Sequence, residues 1–135
     1  MRKTLFVADN NELDLRILRL ILARNPVFGS ELYFKDGKSL LAYIKSNFND
    51  AVNLPDVIFL DINMPEMDGW RVLEFLKMIY DRLSKPVAVY IISTSVDAVE
   101  RRDAMSYPFV KEFIPKPIYK DKLTAIAEEV GNYRA

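Results

Sequence analysis

Short apolar runs alternate along this chain with longer stretches in which apolar residues recur every three or four positions. Residues 5–8, 57–60 and 87–92 are continuous apolar runs, and residues 31–34 and 112–114 are shorter and mixed. Continuous runs of this length predict strands covered on both faces. Between them lie helical stretches. Residues 12–24 carry Leu13, Ile17, Leu20 and Ile21 on one predicted face, and Asn25-Pro26 stops them. After a turn at Asp36-Gly37, Leu40, Leu41, Ile44 and Phe48 mark a second helix face. Residues 70–83 present Val72, Leu73, Leu76 and Ile79, and Lys85-Pro86 ends that helix. A poorly amphipathic helix follows over about 97–105. A last one spans about 119–132, with Leu123, Ile126, Ala127 and Val130 on its face.

The pattern is five β-α units in series, with no recurring repeat and no low-complexity segment. Connections this short predict an α/β fold: a three-layer, doubly wound sandwich around a five-stranded parallel sheet of order 2-1-3-4-5. In such a sheet the ligand site lies beyond the carboxyl ends of the strands, where the strand order reverses. The residues just past the predicted strands are Asp9 and Asn10, Asp61, Ser93 and Lys116. Thr94 competes with Ser93 but stands one residue past the expected strand end. Two carboxylates, an amide, a hydroxyl and an ammonium suit a phosphoryl group with a hard divalent cation. A carboxylate in that setting can act as a nucleophile and form an acyl phosphate.

Composition narrows the chemistry further. The chain of 135 residues has no Cys and no His. Thiol nucleophiles, imidazole bases and zinc sites with N/S ligands are therefore excluded. Lys plus Arg equals Asp plus Glu, at 19 each, so no basic field points to nucleic acid. The apolar runs are too short to span a bilayer, and the start is too short for a signal peptide. The expected setting is cytoplasmic, with no membrane and no direct DNA binding. The length predicts a single domain over 1–135 with no output domain.

The segments LFVADNNELDLRIL, DVIFLDINMPEMDGWRVL, VYIISTSVD and FIPKP carry a resemblance. In this order they resemble the receiver (CheY-like) domain of bacterial two-component response regulators, nearly end to end, and in particular its stand-alone type. That resemblance implies a flavodoxin-like fold and a phosphorelay role. By that resemblance, Asp61 is expected to accept a phosphoryl group from a sensor histidine kinase or a phosphotransfer protein. Asp9, Asn10, Asp61 and the Asn63 backbone carbonyl are expected to hold Mg²⁺, and Ser93 and Phe113 to form a switch pair. Lys116 is expected to contact the phosphoryl group, with its bond to Pro117 cis, and Asn63 and Ser95 to tune the lifetime of the acyl phosphate. Output is expected by contact with a downstream protein through the face of the fourth helix, fifth strand and fifth helix, which family members often use to form homodimers. No enzyme activity is implied beyond the protein's own phosphorylation and autodephosphorylation.

One departure bears on all of this. The family usually has two acids after the first strand, whereas this chain has Asp9-Asn10. A register placing Asp9 second would put Ala8 first, and Glu12-Leu13-Asp14 would then fall out of step. An amide oxygen can ligate without a full charge, so weaker Mg²⁺ binding is expected. The rival is an interaction module of the same fold that signals without phosphorylation. A flavin protein or small hydrolase would need a phosphate loop or a nucleophile elbow after the first strand, and Asp9-Asn10-Asn11-Glu12 is neither.

Overall fold

The computed structural model describes residues 3–64 and 67–131. Five parallel strands, β1 (Thr4–Ala8), β2 (Ser30–Phe34), β3 (Val57–Asp61), β4 (Ala88–Ser93) and β5 (Val110–Pro115), form one sheet in the order β2-β1-β3-β4-β5. Between and after them run α1 (Glu12–Arg24), α2 (Gly37–Ser46), α3 (Gly69–Ile79), α4 (Ala98–Met105) and α5 (Lys120–Glu129). The expected fold class and strand order are both present.

Strand alternation divides the core in two. Phe6, Ile58, Leu60, Val89 and Ile91 face α2 and α3, meeting Leu40, Ile44, Val72, Leu73 and Leu76. Leu5, Val7, Phe59, Tyr90 and Ile92 face the other way, meeting Leu22, Leu123 and Ile126 from α1 and α5. β3 is buried along its whole length, so Asp61 is delivered at the carboxyl end of a strand covered on both faces. The same cap chemistry starts four helices: Asn11, Asp36, Asp68 and Asp97 each accept a backbone N–H of the first turn, at 2.7–3.1 Å. The cap of α1 is thus Asn11, which leaves Asp9 and Asn10 ahead of the helix.

Several predicted details differ. α1 is apolar on two stripes, and the sheet takes the other one. Leu22 is buried with Leu15, Leu18 and Ile21 packed beside it, while Leu13 and Leu20 stay 63% and 60% exposed. Phe48 lies beyond α2, which stops at Asn47. That side chain turns back to donate to the Tyr43 carbonyl at 2.8 Å. The helix predicted over 70–83 ends at Ile79 and tightens into a single 3-10 turn at Tyr80–Arg82. There the Tyr80 hydroxyl donates to the Val87 carbonyl and accepts the Val87 N–H, both at 2.8 Å. Val87 is thereby satisfied outside the sheet, and β4 begins one residue later than its apolar run. β5 is longer at both ends than residues 112–114. The predicted end of the last helix at Asn132 lies outside the described residues, as do Pro65 and Glu66 of the loop after β3. No helix among the described residues is long and apolar enough to cross a membrane.

Candidate functional site

The strand-end rule gathers its residues on one edge of the sheet. Asp61 ends β3, and its side chain is almost fully buried. Asp9, also buried, follows β1 and is pinned on one side by the Asn11 N–H, which it accepts at 2.9 Å. Lys116 follows β5 directly, and its peptide bond to the next residue, Pro117, is cis. Its backbone N–H donates to the Ser93 carbonyl at 2.8 Å, which ties the lysine to the end of β4.

The Lys116 ammonium is shared among three carboxylates. It stands 2.9 Å from Asp9 Oδ2, 2.8 Å from Asp14 Oδ2 and 3.3 Å from Asp61 Oδ2. The three acids leave two negative charges uncompensated when all are ionised. Burial lowers the proton affinity of Lys116, but hydrogen bonds to Asp14 and Asp9 and the charges of Asp61 and Asp9 outweigh it, so the group stays charged. Asp61 shows the strain of the excess. Burial first, then the charge of Asp9, push its carboxyl up to about 6, against the pull of Lys116 and of the Asn63 N–H. That N–H donates to Asp61 Oδ1 at 3.2 Å.

An open cleft of about 400 Å³ fronts Asp61, lined by Asn10, Glu12, Asp14, Asn63, Thr94 and Lys116. Asn10 is exposed at its rim. Two adjacent buried carboxylates with excess negative charge fit a hard cation. Among the described residues, no three His, Cys, Asp or Glu side chains group to hold a metal by themselves. Mg²⁺ does not require that, because it takes one or two carboxylates and completes its shell with carbonyl, phosphate and water oxygens.

The hydroxyl that lines the cleft is Thr94, whereas Ser93 is fully buried, its Oγ accepting the Ser95 N–H at 3.0 Å. Ser95 in turn donates its hydroxyl to Glu100 of α4 and accepts the Asp97 N–H at 3.2 Å. Phe113 is buried, with the Arg101 guanidinium 5.8 Å from its ring centroid. Gly69 opens α3 directly behind Asp61. A Cβ there would meet the Asp61 carbonyl oxygen and Ile62 Cα, each at 2.7 Å.

Two participants were not singled out from the sequence. Asp14 lies in the first turn of α1, and Glu100 lies in the first turn of α4. Both are helix residues, which a search of strand ends passes over. Their signal is that the first turn of each following helix also faces this edge.

The family model for the response regulator receiver domain matches residues 5–128. The probable methanogenesis regulatory protein FilR2 of Methanothrix harundinacea is 30% identical over 129 residues, covering 96% of this chain and 81% of that protein. Some other curated relatives match over a small part of their own length, 7% of a hybrid signal transduction histidine kinase of Dictyostelium discoideum and 33% of a protein-glutamate methylesterase of Carboxydothermus hydrogenoformans. A two component response regulator from Cytophaga hutchinsonii superposes with a TM-score of 0.84 at 18% identity, over 98% of this chain and 100% of that one. The Mn(2+)-bound form of response regulator Rcp1 gives 0.72 at 21% identity, over 97% and 93%. At these identities the two structures speak for the fold alone. The family match covers nearly the whole chain: it belongs to the response regulator receiver domain family, whose setting is two-component signalling.

Proposed function

We propose that Asp61 accepts a phosphoryl group from a sensor histidine kinase or phosphotransfer protein, and that the protein relays this as a change of its protein-binding face. The supporting observation is the juxtaposition at Asp61: a buried strand-end carboxylate, a lysine 3.3 Å away and an open cleft in front. A carboxylate oxygen of Asp61 attacks phosphorus in line as the donor's P–N bond breaks. The imidazole leaves with the electron pair and takes up a proton. Lys116 is placed to turn from carboxylate to phosphoryl oxygen. Asp9, Asp61 and the Asn63 carbonyl would hold Mg²⁺, with Asn10 supplying at most a neutral oxygen. The bound cation supplies charge neutralisation on the transferring group.

In this reading Ser93 leaves the Ser95 N–H for the new phosphoryl oxygen, and Phe113 packs behind it. The two-state shift then reaches α4, β5 and α5. Output goes to a downstream protein or a second copy of the chain. Asn63 and Ser95 flank the acyl phosphate and set water access to it. The setting is cytoplasmic, and the protein acts on no other substrate.

The test is acetyl phosphate with Mg²⁺, followed by intact-mass measurement. A phosphoryl-sized gain that disappears in Asp61→Ala supports the reading. No gain under any condition refutes it and favours the interaction module without phosphorylation, to which the neutral Asn10 would then belong.

A further inference from the structure

We propose that Asp14 is a positioning residue for Lys116, holding the ammonium in a three-way share from which it must be released before it can bind a phosphoryl group on Asp61. This rests on the reading of Asp61 as acceptor. An ammonium has three N–H donors, and here three carboxylate oxygens stand within ion-pair distance of it. A phosphoryl oxygen therefore has to displace one of them.

Asp61 becomes the phosphoryl carrier, so Lys116 stays near it. Asp9 is buried, and its other oxygen is fixed by the Asn11 N–H. Asp14 is a third exposed, comes from a helix rather than a strand end, and has the shortest of the three contacts at 2.8 Å. It also faces the cleft through which a donor arrives. Of the three acids, Asp14 is the one whose contact water can replace at lowest cost. Its present contact is nonetheless shorter than that of Asp61, so the resting lysine leans toward Asp14.

Removing the Asp14 charge frees one donor and should raise the initial rate of Asp61 phosphorylation by acetyl phosphate in Mg²⁺ by roughly fivefold, the scale of one partly exposed charge-assisted hydrogen bond. Beryllofluoride affinity should rise by a similar factor. A general loss of negative charge would also favour an anionic donor, so a control is needed. Glu12 lines the same cleft and makes no ion pair with Lys116. Glu12→Gln removes a charge there and leaves the lysine's partners intact.

The experiment measures both readouts in wild type, Asp14→Asn and Glu12→Gln, with Asp14→Ser as a second replacement should the amide fold poorly. Gains in the Asp14 variants that clearly exceed that of Glu12→Gln support the proposal. Equal gains in all variants, or none in the Asp14 variants while wild type is phosphorylated, overturn it and leave the acceptor reading standing. A wild type that takes up no phosphoryl group overturns both.

Discussion

Asp61→Asn should stabilise the metal-free protein at neutral pH and leave its stability unchanged in acid. Asp61 is 5% exposed and sits beside the buried Asp9, with only a shared lysine to offset the two charges. Burial and Asp9 raise its carboxyl from 3.8 to about 6. Two pKa units correspond to about 3 kcal/mol at most. Solvent in the open cleft and relaxation of Asp9 reduce this to about 2 kcal/mol. The sign follows from proton linkage. Between about pH 4 and pH 6 the native state binds more of this proton than the unfolded chain, so wild type loses stability as pH rises through that window. Above about 6 the penalty is complete, and below about 4 it is absent. Urea unfolding in EDTA at pH 4.0, 5.0, 6.0 and 7.5 would show it. With an m-value of roughly 2 kcal/mol/M, the midpoint of Asp61→Asn should exceed wild type by about 1 M at pH 7.5 and by no more than about 0.3 M at pH 4.0. A pH-independent difference, or one that grows toward acid, would refute the account of Asp61 as a carboxylate strained by burial and Asp9.

Asn10→Asp should tighten Mg²⁺ binding by roughly tenfold, about 1.4 kcal/mol, since it adds a full charge at the cleft rim; equal affinities in a calorimetric titration would count against any role for position 10. Gly69→Ala should destabilise the fold by about 1–3 kcal/mol, because the added methyl meets backbone atoms of Asp61 and Ile62 that cannot turn aside. The same change should slow acetyl phosphate labelling of Asp61. Tyr80→Phe removes both partners of the Val87 peptide groups. A loss of about 1–3 kcal/mol in urea unfolding is expected, whereas no loss would show that water replaces the hydroxyl there.

The sheet was legible because β3 and β4 are apolar on both faces, a pattern that a surface strand does not have. The sheet edge that carries Asp61 was legible for a related reason. A parallel α/β sheet fixes which strand ends meet, so Asp9, Asp61, Ser93 and Lys116 could be collected without knowing any distance. Periodicity failed on α1, where two apolar stripes lie on one helix. Only packing decides between Leu13-Ile17-Leu20 and Leu15-Leu18-Leu22. It failed again at the end of α3, where the boundary depends on a tyrosine hydroxyl reaching seven residues ahead. The resting place of Ser93, turned to the Ser95 N–H, is a matter of rotamer, and no residue pattern encodes that.

The charges of the site explain why Asn10 and Asp14 belong to one problem. The third carboxylate that meets Lys116 stands on a helix, at the lysine end of the cleft, and the rim position 10 is neutral. A cation at the metal end therefore meets two carboxylates, while the lysine end has more acid than one ammonium neutralises. Each end answers a different part of phosphoryl transfer. In the proposed reaction, a weak cation hold would slow charge neutralisation on the incoming group, and a strong acid hold on Lys116 would delay its turn to that group. Under the proposed function, both features would oppose accumulation of a phosphorylated state. Positions 10 and 14 line one cleft, and Asp9 and Asp61 are partners of Lys116 as well as the acids nearest a cation, so the two effects on the labelling rate should couple: a double variant should depart from the sum of the single changes by about 0.5 kcal/mol or more.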